Sequence, residues 1–149
     1  MILVDTNILL RSLQTSNRQF SVTDQALDTL RHRQETLCIA PQNVIEFWVV
    51  ATRPLDKNGL GMTPKRAATE IRVLLGLFRL LPYLPQVFET WQRIVLTQGI
   101  SGKQGHDAHL VAMMQVHSIT SILTFNTEDF IRFPGIQVLN PAEVNAGFE

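Results

Sequence analysis

Ile2-Leu3-Val4-Asp5-Thr6-Asn7-Ile8-Leu9-Leu10 decides how the rest of the chain is read. Three apolar residues, two of them β-branched, have the length and character of a short buried strand. An acid, a hydroxyl and an amide follow at once, and a second apolar run then starts a helix over Asn7 to Leu13. Working outward, the same alternation recurs. Leu37 to Ala40 is a second short strand, and Pro41, which suits a first helical position, opens a helix to about Arg53. Between these two units, Val22 to Arg33 reads as a helix with Ser21 as its N-cap.

Pro54 ends the helix after Pro41, and residues 54–62, with two glycines, Asp and Asn, read as a loop. Thr63-Pro64 then starts a helix whose face is Ala67, Ala68, Ile71, Leu74, Leu75 and Phe78 at helical spacing. Arg79 to Leu81 is a short strand stopped by Pro82. Gln86 to Gln98 is a helix with Val87, Phe88, Trp91, Ile94 and Val95 inward. After a loop from Gly99 to Gly105, His106 to His117 is a helix and Ser121 to Thr124 a strand. Asn126 to Phe130 is a turn or short helix, and Ile136 to Leu139, after the Pro134-Gly135 turn, is the last strand. Strands separated by helices predict an α/β domain with a mostly parallel sheet covered on both faces.

Composition narrows the function. With 149 residues, 45% hydrophobic and 17% charged, the chain reads as one globular domain over 1–149. The single Cys38 excludes an internal disulfide framework and a cysteine-cluster zinc site. Thirteen basic and thirteen acidic residues sum to zero, which excludes nucleic-acid binding by bulk charge and leaves it to a local site. No apolar run approaches the ~18–20 residues of a membrane span. The amino terminus has no basic stretch and carries an acid at position five, so no signal peptide is read and a cytoplasmic protein is expected.

In open α/β sheets ligands bind beyond the carboxyl ends of the strands. Asp5-Thr6-Asn7 follows the first strand, and Asn126-Thr127-Glu128-Asp129 follows the fourth. Glu46 is the only charge between Leu37 and Trp48, with Val49 and Val50 one helical turn on. Asp107 opens an apolar helix whose next turn is Leu110 and Val111. Each acid has an ordinary reading. Asp5 and Asp107 would be helix caps, Glu46 would pair with Arg53 or Arg11, and Asp129 would be a surface turn residue. Together they would crowd one sheet edge, where carboxylates ~5 Å apart repel by about 3 kcal/mol per pair at an effective dielectric of ~20. A divalent cation offsets that repulsion, and carboxylates with open water positions suit Mg2+ or Mn2+.

Four blocks in order, Val4–Leu10, Val44–Glu46, Gly102–Ala112 and Thr124–Phe130, resemble those of PIN-domain nucleases, most closely the VapC-type ribonuclease toxins of toxin–antitoxin modules. The resemblance runs from residue 2 to about 140. It implies a PIN-like three-layer domain with a central five-stranded sheet, and a Mg2+- or Mn2+-dependent endoribonuclease. It makes Asp5, Glu46 and Asp107 an acidic triad. The fourth acid of the family falls at Asn126, so Asn126 is assigned a phosphate or metal-bound water instead, and Asp129, one turn on, is the remaining candidate metal ligand. The resemblance also implies an RNA substrate, a cognate antitoxin protein and a homodimer. The Asn126 departure supports an alternative, a catalytically weak PIN scaffold that binds RNA or protein without turnover.

Lys103 and His106 are candidates for the rim of such a site, and Thr6 and Thr124 are hydroxyl candidates behind the acids. His106 and His109 lack the third ligand and the HExxH pattern that a zinc site needs. The helix after Pro41 is apolar on several sides, with Ile45, Phe47, Trp48, Val49 and Val50, so it is either deeply buried or part of an interface. A phosphoacceptor receiver domain is excluded: it needs an acid pair after the first strand and a late lysine, and no lysine follows Ser121.

Overall fold

The computed structural model describes residues 1–147. The chain alternates strands and helices from end to end: β1 (Ile2–Val4), α1 (Thr6–Leu13), α2 (Phe20–His32), β2 (Leu37–Ile39), α3 (Pro41–Thr52), α4 (Pro64–Leu77) and β3 (Arg79–Leu80). It continues with α5 (Gln86–Gln98), α6 (Gln104–Val116), β4 (Ser121–Leu123), α7 (Thr127–Phe130), β5 (Gln137–Leu139) and α8 (Pro141–Ala146). The five strands form one sheet in the order β3-β2-β1-β4-β5. Every pairing is parallel, where the sequence led only to a mostly parallel sheet. This is a PIN-like three-layer α/β fold.

The layers follow from the pleat, which turns successive side chains to opposite faces. Ile2, Val4, Leu37, Ile39 and Leu123 look to one side, into a core closed by α1, α2, α3 and α8, with Leu74 and Phe78. Leu3, Cys38 and Ile122 look to the other, into a core with Val87 and Ile94 of α5 and the apolar face of α6. Strands buried on both faces must read as continuous apolar runs, which is why three residues suffice to announce each one.

Several boundaries differ from the sequence reading. Helix α2 begins at Phe20, not Val22, and Ser21 lies inside it rather than capping it. An Asx-type turn starts it instead: Asn17 Oδ1 accepts from the Gln19 N–H at 2.8 Å. Helix α6 begins at Gln104, two residues before His106. Helix α8 was not anticipated; Asn140 caps it through the Ala142 N–H at 3.0 Å, with Pro141 at its first position.

The loop after α3 also matters to the site. It contains a 3-10 turn, Leu55–Lys57, and folds back on the helix end. The N–H groups of Leu60, Gly61 and Met62 donate to the carbonyls of Val50, Arg53 and Ala51 at 3.0, 2.9 and 2.8 Å. A Cβ on Gly59 would stand 2.0 Å from the Arg53 carbonyl oxygen, so this return requires glycine. No helix among the described residues is long and apolar enough to cross a membrane.

Candidate active site

Strand β1 is the centre of the sheet, and chain order reverses between β1 and β4, the position where open α/β sheets bind ligands. The register sets Val4 beside Leu123, so Asp5 and Thr124 leave the sheet side by side. Asp5 caps α1 and is only 7% exposed. Its Oδ1 accepts from the Thr6 N–H at 2.8 Å, and its Oδ2 accepts from the Thr124 hydroxyl at 2.7 Å and the Asn7 amide at 3.0 Å. The cap reading of Asp5 therefore holds, and it leaves the carboxylate at the sheet edge. Burial raises the Asp5 pKa; the bonds from Thr124 and Thr6 act against that, and Glu46 and Asp129 add to it.

Glu46 sits one turn into α3, with Oε2 accepting from the Thr6 hydroxyl and Oε1 from the Gln42 amide, each at 2.8 Å. Among the described residues no arginine pairs with it. Arg11 donates instead to Gln19 and Gln14, at 2.9 and 2.6 Å. The Thr6 hydroxyl in turn accepts from the amide of fully buried Asn43 at 3.2 Å, whose Oδ1 accepts from the Ala40 N–H at 2.8 Å. The Gln42 amide also donates to the His106 carbonyl at 2.9 Å, tying α3 to α6.

Asp107 is not a cap: Lys103 holds that position, and Asp107 lies in the first helical turn of α6. Its pKa is pushed up to about 6, first by burial and then by the charges of Asp129, Asp5 and Glu46, with His106 pulling the other way. Asn126 precedes α7, and its N–H donates to the Thr124 hydroxyl at 3.0 Å. The side chains converge on one cavity of about 400 Å3, whose lining includes Asp5, Glu46, Asp107, Asn126 and Asp129, with Arg53 also on its wall. The ion pairs described elsewhere in the chain are Met1–Glu35 and Arg31–Asp28, and none involves these acids among the described residues.

The acids face one space without forming a closed cage. Among the described residues, no three metal-ligating side chains stand close enough to hold an ion together. The donor set is all carboxylate oxygen, which matches Mg2+ or Mn2+: Mg2+ keeps several waters and needs only one or two direct carboxylates. It does not match a tetrahedral zinc cage. His106 and His109 do not form one either, because the two ring nitrogens of His109 face Gln42 Oε1 at 2.5 Å and the Tyr83 hydroxyl at 3.3 Å.

Gln42, Asn43 and Tyr83 were not assigned roles from sequence. The signal for the first two was present, as two amides in the first turn of an otherwise apolar helix. Tyr83 lies between Pro82 and Leu84, where nothing local marks it. Trp48, expected in the core or at an interface, is exposed on α3 with Ile45 and Val49, and the latter two line the cavity. Trp91 is half-buried, and its indole N–H donates to the Gly105 carbonyl at 2.9 Å.

An all-parallel α/β domain with carboxylates gathered at its central switch point defines a small class of proteins. The PIN domain family model matches residues 2–136, and the chain belongs to that family. No curated protein matches the sequence. Among solved structures it is similar to FitAcB from Neisseria gonorrhoeae, at 23% identity and a TM-score of 0.69 over 95% of this chain and 99% of that one. It is also similar to a toxin–antitoxin complex from Klebsiella pneumoniae, at 24% and 0.65 over 95% and 98%. VapC20 from Mycobacterium tuberculosis, described as a sarcin–ricin loop cleaving toxin, matches at 14% and 0.63 over 87% and 92%. At these identities the likeness is one of fold.

Proposed function

We propose that this protein is a Mg2+- or Mn2+-dependent endoribonuclease and the toxin of a toxin–antitoxin pair. One observation carries the reading: Asp5, Glu46, Asp107 and Asp129 line a single cavity at the sheet's switch point, and among the described residues no basic side chain forms an ion pair with them. Membership of the PIN family and the fold shared with VapC and FitAB toxins support it.

Asp5 and Asp107 would hold the metal ion, directly or through water, with Asp129 as a further carboxylate on the same wall. A divalent ion bound there supplies a polarised phosphate oxygen and a water of lowered pKa. Asp5 is fixed by three donors, so its carboxylate does not swing away when the substrate's charge arrives. Glu46, held by Thr6 and Gln42, orients the attacking water for in-line displacement at phosphorus. Asn126, uncharged, donates its amide to a phosphate oxygen where a fourth acid would repel it.

Asp107→Asn and chelation by EDTA both abolish cleavage of a structured RNA mixture on this reading, while the variant stays folded. Cleavage that survives either treatment overturns it. The binding-scaffold alternative draws on Asn126 and on the open spacing of the acids; it requires RNA affinity without metal-dependent turnover, and the same assay separates the two. A cognate antitoxin would cover the exposed apolar residues of α3, Ile45, Trp48 and Val49, of which Ile45 and Val49 line the cavity. A small gene directly upstream, encoding a DNA-binding partner with an acidic tail, is the accompanying expectation, as is a homodimer in solution.

A further inference from the structure

Beside the acidic cavity lies a second one of about 540 Å3, walled by Pro41, Ile45, Tyr83, His106 and His109. Ile45 and Glu46 line both, so the two adjoin across a shared wall. A third hollow of about 280 Å3 shares His106 and His109 with the second and ends at Trp91, Gly102 and Gly105. These three adjoining hollows, hereafter the groove, follow one another from the carboxylates past the first turn of α6.

Tyr83, His109 and Trp91 bring aromatic rings to the walls of this groove. The Tyr83 and His109 rings stack at 5.7 Å and 18°, and Tyr83 remains 51% exposed. Behind Trp91, outside the lining, the exposed Phe88 stacks on it at 5.9 Å and 27°. The Tyr83–His109 pair is built into the site. His109 faces Gln42, Gln42 donates to Glu46, and the ring stack is thereby anchored to an acid of the cavity. An aromatic pair one step from a phosphate-handling centre has the dimensions and chemistry of a base-stacking platform.

We propose that this groove is the binding track for single-stranded RNA, with a nucleobase flanking the cleaved phosphate stacked on Tyr83. Stacking suits a chain of zero net charge, because affinity then comes from base surface and not from bulk phosphate attraction. It also restricts the substrate: a paired base cannot reach Tyr83, so loops and unpaired segments are selected over duplex. The inference rests on the reading that the acidic cavity handles RNA, and its test does not depend on cleavage.

A fluorescent, short, single-stranded oligoribonucleotide is titrated with Asp107→Asn protein in Mg2+, and with the same protein carrying Tyr83→Phe or Tyr83→Ala. Tyr83→Leu serves in place of alanine if that variant does not fold. Tyr83→Phe keeps the affinity, whereas Tyr83→Ala weakens it roughly 5- to 150-fold, the range of one base–aromatic stack. The loss disappears on an abasic oligonucleotide of the same length, which has no base to stack. Equal affinity across the variants, an equal loss on the abasic strand, or no binding up to about 100 µM overturns the proposal and leaves the groove to a partner protein. Tyr83-dependent binding by a wild-type protein that does not cleave supports the track and refutes the nuclease.

Discussion

Asp107→Asn should make the metal-free protein more stable at neutral pH. The Asp107 carboxyl titrates near 6 in the folded chain against an ordinary 3.8. Because the folded value is the higher one, the folded protein holds a proton that the unfolded chain has released between those two values. Stability therefore falls as pH rises through that window, and the full penalty stands above it. At full strength the difference is worth about 3 kcal/mol. Asp107 is half-exposed, and solvent screening brings it to about 1–1.5 kcal/mol. Asparagine has similar size and no charge, so it removes the penalty at pH 7.5 and changes little below pH 3.8. For a domain of this size, that is a rise in Tm of roughly 2–6 °C. The assay is thermal unfolding in EDTA of both proteins at pH 7.5 and near pH 4. A variant that is no more stable than wild type at pH 7.5, or that keeps the same advantage near pH 4, refutes the claim that burial and the neighbouring acids together penalise the charged Asp107.

Two other perturbations test the frame around the acids. Thr124→Val keeps the shape of a fully buried side chain but removes the donor to Asp5 Oδ2 and the acceptor for the Asn126 N–H. A bond to a charged group is worth about 1.5–3 kcal/mol, so urea unfolding at pH 7.5 should show that loss; wild-type stability would refute the bond. Saturating Mg2+ or Mn2+ should raise the wild-type Tm, by about 2.7 kcal/mol of stability at a hundredfold excess over Kd, and raise that of Asp5→Asn far less. An equal rise in both proteins would place the ion elsewhere.

The strands were readable because burial on both faces leaves no room for polar residues, so Ile2–Val4, Leu37–Ile39 and Ser121–Leu123 stand out even at three residues each. The acids were readable for the opposite reason, as charges embedded in apolar surroundings. What sequence did not disclose depends on contacts distant along the chain. Gln42 meets His106 and His109, and Tyr83 meets His109, across 64, 67 and 26 residues. Nothing within a helical turn of these residues marks such pairings. Helix α8 escaped notice because six residues are too few for a period, although its Asn140 and Pro141 signals were in view. Glu46 posed the sharpest ambiguity: an arginine partner was the plausible expectation for a lone carboxylate, and neutral donors took that place.

Those neutral donors explain how the site can be rigid and strongly negative together. An arginine beside Asp5 or Glu46 would fix the carboxylate equally well, but it would cancel the charge that attracts a cation. Thr6, Asn7, Thr124 and Gln42 fix the same oxygens with dipoles only. Thr6 serves both acids at once: its N–H goes to Asp5, and its hydroxyl goes to Glu46. Asn43 then sets that hydroxyl from behind by donating to it, so its proton has one direction left, toward the carboxylate. Burial raises the pKa values of Asp5 and Asp107 first, and the uncancelled charges of the neighbouring acids add to the rise. The fold accepts electrostatic strain in the ion-free state, and the divalent cation proposed for this site would relieve it where the strand ends meet.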